Sequence, residues 1–171
     1  VKTIVLSGKL AAGRATFIDD EDWPLVAGYR WRVYEVARRP GRKPGGPYAQ
    51  TWIRRDDGRL TSLLMHKLIT GWPMTDHINH DGLDNRRANL RPATAAQNQQ
   101  NQRSHSGTSS MYKGVTWDRQ HSSWRASIHV NRRNCFLGLF ASEPAAAVAY
   151  NAAALDAFGE YACLNVIEAA A

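Results

Sequence analysis

The chain has 171 residues, enough for one ordinary core or two small ones. Its 22 Lys and Arg outweigh 15 Asp and Glu, giving a net charge of +7 and an isoelectric point near 9.8, and 17 of the 22 are Arg; Arg suits planar, bidentate recognition of phosphate and guanine edges, so a polyanionic partner is the first expectation. Two cysteines far apart, Cys135 and Cys163, exclude a four-cysteine zinc cage and a disulfide framework, and no long apolar run or basic-then-apolar leader appears, so a cytoplasmic protein without membrane association is expected.

The first 60 residues read as short strands: 3–6, 15–18, 29–34 and 48–53. Alternation of apolar and polar residues in the last two predicts a half-buried antiparallel sheet. Between the second and third strands, Asp19 to Val26 reads as a helical turn with acidic residues at its positive end, a local structural role. The segment 37–47 is dense in Arg, Lys, Pro and Gly, and is either a solvated hairpin tip or a finger that grips DNA backbone. Helical spacing over 63–70 with Gly71 as a stop predicts a helix carrying a packed His66. Residues 103–110 are small, polar and aperiodic, which predicts a linker. Three further strands are expected over 114–117, 123–130 and 135–140. A helix is expected over 143–158, with Ser142 as N-cap, Pro144 in its first turn and Gly159 just past its end.

The run Asp76-His77-Ile78-Asn79-His80-Asp81-Gly82, then Asp84-Asn85-Arg86-Arg87-Ala88-Asn89-Leu90-Arg91 and finally Asn98, sets an imidazole beside a carboxylate and an amide oxygen one hairpin and one helical turn later. A hard divalent cation and a general base fit those groups. The joint pattern resembles the HNH nuclease motif, in the variant with Asn at the third position that is found in phage and mobile-element homing endonucleases. The resemblance implies a ββα-metal module with catalytic His77 and Asn89, His77 taking a proton from water and Asn89 bracing the loop. Asp76 and Asn98 would be oxygen ligands for Mg²⁺ or Mn²⁺. Arg86, Arg87 and Arg91 lie where a scissile strand would pass, and one or more could instead pair with Asp81 or Asp84. Asn79, Asp81 and Asn85 read as turn residues, and His80 as exposed or phosphate-contacting.

Tyr112-Lys113-Gly114-Val115, Trp124 to Ile128, Phe136 to Phe140, Ala145 to Asn151 and Phe158 to Asn165 together resemble an Apetala-type (ethylene-response-factor) DNA-binding domain over 111–166. In that family a three-stranded sheet lies in the major groove. Strand alternation that packs Trp124, Ala126 and Ile128 on the helix turns Arg125, Ser127 and His129 outward. Lys113, Thr116, Arg119, Arg132 and Arg133 are further DNA-binding candidates. The expectation is thus an α+β protein with a nuclease part, 1–102, a linker, 103–110, and a DNA-reading part, 111–166. It would be a monomeric, metal-dependent endonuclease acting on double-stranded DNA in a bacterial or phage-infected cell. The alternative is a DNA-binding regulator whose nuclease site has decayed.

Overall fold

The computed structural model describes residues 1–35, 46–103 and 109–167, so most of the basic segment 37–47 and of the expected linker lies outside the described residues. The fold is mixed α and β, with several small sheets and few helices. It divides into two compact units, Val1–Ala95 and Ala96–Ala171. The division falls ahead of the boundary at 102 expected from composition. Lys113 Nζ donates to the carbonyls of Gln100 and Gln102 at 2.6 and 2.7 Å, which fastens the end of the preceding helix to the second unit.

In the first unit β1 (Lys2–Val5) and β2 (Ala15–Ile18) form an antiparallel ribbon. A 3-10 turn (Asp20–Asp22) leads into α1 (Trp23–Val26). β3 (Arg32–Tyr34), β4 (Tyr48–Arg54) and β5 (Leu60–Leu64) make a three-stranded sheet in that order. The helix expected over 63–70 is shorter, α2 (Met65–Thr70), because Leu63 and Leu64 pair with Thr51 and Gln50 as the end of a strand. Its left-handed stop is Gly71, at φ 68°. β6 (Thr75–His77) and β7 (Leu90–Pro92) close a second ribbon, with Asp76 opposite Arg91 and His77 opposite Leu90. One core serves these pieces: Leu6, Ile18, Val26, Trp31, Val33, Met65, Ile69, Leu83 and Leu90 are all buried together.

The second unit begins with α3 (Ala95–Gln100), whose first residue closes the first unit. β8 (Val115–Asp118), β9 (Ser123–Val130) and β10 (Arg133–Phe140) follow as an antiparallel sheet with β9 central. Asn131 and Arg132, at φ 50° and 64°, make the tight turn between β9 and β10, the positive-φ pair that matches strand twist in a two-residue hairpin. α4 (Glu143–Phe158) lies on one face of the sheet; the Ser142 hydroxyl accepts from Ala145 N at 3.3 Å as its N-cap. Ala146, Ala147 and Ala154 are buried with Val115, Ala126, Ile128 and Tyr150, small side chains that let helix and sheet approach closely. Gly114, at φ 76°, is required by that approach: a Cβ there would fall on the Tyr150 ring. Ser110, expected in the linker, is buried and its hydroxyl donates to Glu143 at 2.6 Å, so that end of the segment belongs to the second unit. No helix among the described residues is long and apolar enough to cross a membrane.

Candidate active site

β6 delivers Asp76 and His77 side by side, and both are buried, 3% and 7% exposed. Cross-strand register decides what Asp76 meets. Arg91 stands opposite it, its Nε donating to Asp76 Oδ2 at 2.9 Å and its Nη2 lying 2.7 Å from the same oxygen. His77 packs between two aromatic rings, with ring centroids 5.0 Å from His66 and 5.9 Å from Tyr48, and its Nε2 lies 3.3 Å from Asn85 Oδ1. Gly82 permits this packing, since a Cβ there would run into Tyr48 and the Pro47 carbonyl.

The connection from His77 to Leu90 is bound to itself at nearly every turn. Asn89 Oδ1 accepts from Asn79 N at 2.9 Å while its Nδ2 donates to the Asp84 carbonyl at 2.8 Å, so one amide bridges the start and the middle of the loop. Asn79 Oδ1 accepts from Asp81 N and Asp81 Oδ1 from Leu83 N, the side-chain turns expected of these residues. The loop is also fastened to β2, where Phe17 N donates to the Leu83 carbonyl at 2.9 Å and Asn85 N to the Phe17 carbonyl at 2.8 Å. From the acidic turn, Asp19 Oδ2 accepts from Arg87 N at 2.8 Å. Asp22, 1% exposed, takes the Arg87 guanidinium at 2.6 to 3.2 Å.

Burial outweighs the surrounding carboxylates at His77: it pushes the imidazole below its ordinary value, while Asn85, Asp76, Asp81 and Asp84 pull it up. Burial, helped by His77 and Lys67, pushes His66 down to about 3. Both rings are therefore neutral near pH 7. Burial and the Asp76 charge raise Tyr48. The Arg86 guanidinium, bonded to Asp84 at 2.7 Å, holds that carboxyl below its usual range.

An open cleft beside the loop is lined by Ile78, Asn79, Asp84, Arg86, Ala88 and Asn89, with Asp19 and Val1. Asp76 and His77 do not line it, and its Asp84–Arg86 pair is internally neutralised.

The chain aligns with an uncharacterized HNH endonuclease of Acanthamoeba polyphaga mimivirus, 30% identical over 171 residues that cover 98% of this chain and 84% of the relative. It belongs to the HNH endonuclease family. No family model and no solved structure matches the chain.

In this HNH protein the structure brings Asp76, His77 and Asn89 together within the first unit. Asn98 lies half-buried on α3, in the second unit. The three arginines expected along a DNA strand are held by carboxylates. Arg86 and Arg87 keep about half of their side chains exposed. Arg91, expected near a phosphate, is 7% exposed and turned inward by its register opposite Asp76. The Lys113 ammonium, expected at DNA, donates to the Gln100 and Gln102 carbonyls, and burial lowers its pKa. In the second unit Thr116, Arg119, Arg125, His129, Arg132 and Arg133 are exposed, Ser127 is half-buried, and the Arg125 guanidinium sits 5.2 Å over the Phe136 ring. Asn85, expected to be a turn residue, is wholly buried against His77. Thr16, Tyr48 and His66 complete the surroundings of His77 and carry no signal of it in their local sequence.

Proposed function

We propose that this protein is a metal-assisted DNA endonuclease in which His77 takes a proton from the attacking water. The observation that carries the reading is the neutral, buried His77 on β6, bonded by Asn85 and set at the head of a loop that Asn89 bridges. A base must be unprotonated and held still to work near pH 7. The water oxygen attacks phosphorus and its proton goes to His77; the bond to the 3′ oxygen breaks and that oxygen takes a proton from a second water, leaving 3′-hydroxyl and 5′-phosphate ends. Asn89 keeps the loop from swinging the ring away. Arg86 and Arg87, partly exposed, would meet a phosphate without leaving their carboxylates.

The donor set fits a cation of the Mg²⁺ or Mn²⁺ type only as an open site. Asp76 offers a hard carboxylate already shared with Arg91, and no three His, Cys, Asp or Glu converge among the described residues. Such a cation needs one or two carboxylates and otherwise takes water and phosphate oxygens. Asp76 would hold it, with water and phosphate oxygens in the other positions. Bound there, it would supply positive charge to the phosphate and the departing oxygen.

The second unit would add site preference on double-stranded DNA, in the manner of the Apetala-type domain it resembles, through the exposed face of β8 to β10. One observation favours the reading of an inactive DNA-binding regulator, namely that Arg91 already neutralises Asp76.

The test is His77→Ala on a duplex substrate. Cleavage should fall by about 10²- to 10⁴-fold, the usual contribution of a general base, with DNA affinity within about twofold of wild type. A large fall in affinity with cleavage otherwise retained would make His77 a DNA-binding group.

A further inference from the structure

We propose that Thr16 and Asn85 are positioning residues that fix the tautomer of His77, with hydrogen on Nε2 and the lone pair on Nδ1; this rests on the reading of His77 as the base. The Thr16 hydroxyl is completely buried on β2. Its oxygen lies 2.6 Å from the Leu83 carbonyl, a group that can only accept, so the single hydroxyl proton points there. The Met65 sulfur at 3.8 Å is a far weaker competitor. With its proton committed, Thr16 Oγ1 can only accept from its other neighbour, Asn85 Nδ2 at 2.7 Å.

That choice orients the amide. An amide whose NH₂ faces Thr16 must turn its oxygen the other way, and Asn85 Oδ1 meets His77 Nε2 at 3.3 Å. An amide oxygen has no proton to give, so Nε2 must carry one. In a neutral imidazole the lone pair then belongs to Nδ1. The direction of every bond follows from the Leu83 carbonyl, so a residue 61 positions ahead of His77 in the chain decides which ring atom is the base. Neither Thr16 nor Asn85 touches the reacting atoms. Both are wholly enclosed, where a partly satisfied polar network would cost more than an apolar one, and Thr16 Oγ1, Asn85 Nδ2 and His77 Nε2 each have a partner in this chain of bonds.

The experiment uses the full chain with ¹⁵N-labelled histidine, without metal or DNA, at about pH 8 where unperturbed histidine is neutral. Long-range ¹H–¹⁵N correlation, with His77→Ala to assign the signals, should show a protonated Nε2 and an unprotonated Nδ1 for His77. Thr16→Val removes the hydroxyl at nearly constant shape. It should give a mixture of tautomers and lower kcat by about 10- to 100-fold with KM little changed, the scale of losing a group that orients a site residue. Thr16→Ser should restore both readouts. Asn85→Leu should behave as Thr16→Val does, and if either variant fails to fold the wild-type spectrum still decides. An Nδ1-protonated His77 in the wild type would overturn the proposal, as would Thr16→Val with wild-type tautomer and kcat. His77→Ala cleaving at the wild-type rate would overturn the base assignment and the proposal with it, whatever tautomer is found.

Discussion

His66 and His77 stack edge to face inside the first unit, and the fold keeps both uncharged. Their folded pKa values lie below the unfolded value of about 6.5, so below that pH the unfolded chain binds protons that the native one refuses. Stability is then fully present above about pH 6.5 and is lost as pH falls toward the folded values, at up to about 1.4 kcal/mol per pH unit for each such histidine. Denaturant unfolding at pH 7.5 and 5.5 should show this loss, and His66→Phe should reduce it. A pH-independent stability over that interval would mean that the rings protonate in place. Asp76 and His77 were legible as chemistry because the motif sets them in sequence. Asn85 was not: an Asn between Asp and Arg has the composition of a turn, and only the fold shows its amide buried between Thr16 and His77. Arg91 misled for the opposite reason. Its charge suggested a phosphate, but its cross-strand partner in the same ribbon, Asp76, pairs with it.

At the scale of elements, what places the loop is the pair of acidic and basic turns. Asp19 to Val26 reads from sequence as a helical turn with a local role, yet the buried Asp22 reaches across to Arg87 and Asp19 accepts from Arg87 N, so the 3-10 turns Asp20–Asp22 and Arg87–Asn89 hold each other and with them Asn89. Arg87→Ala would leave the Asp22 carboxylate enclosed without its main counterion. The expected cost is about 2–4 kcal/mol, below the figure for a fully buried pair because the guanidinium is half exposed. Thermal or denaturant unfolding measures it, and a change below about 0.5 kcal/mol, the size of an ordinary surface substitution, would contradict the assignment. The second unit was the more legible half. Alternation over 123–130, the Asn-Arg turn and the Ser142-to-Gly159 helix all carry local signals, and the structure has a strand, a tight turn and a helix there. β5 was hidden because Leu63 and Leu64 suit a helix start as well as a strand end, and only pairing with β4 decides between them.

Across the whole molecule the distribution of charge looks different once the ion pairs are known. Residues 1–110 carry 17 Lys and Arg against 10 acids, and 111–165 five against four, which by itself assigns phosphate attraction to the first part. Arg86, Arg87 and Arg91 are paired with carboxylates there, while Arg30, Arg32, Arg54 and Arg55 of the first unit and Arg125, Arg132 and Arg133 of the second are exposed. Replacing the last three by Ala should weaken DNA binding and lower the slope of log K against log salt by about one for each phosphate no longer neutralised. An unchanged slope would remove this face from the DNA interface. The central claim, a metal-assisted nuclease with His77 as its base, is tested most directly by incubating supercoiled plasmid with the full chain, with and without Mg²⁺ or Mn²⁺, beside His77→Ala. Open-circle or linear product that requires metal and disappears in the variant is the predicted result. DNA bound but uncut under every metal would contradict it and leave a DNA-binding regulator.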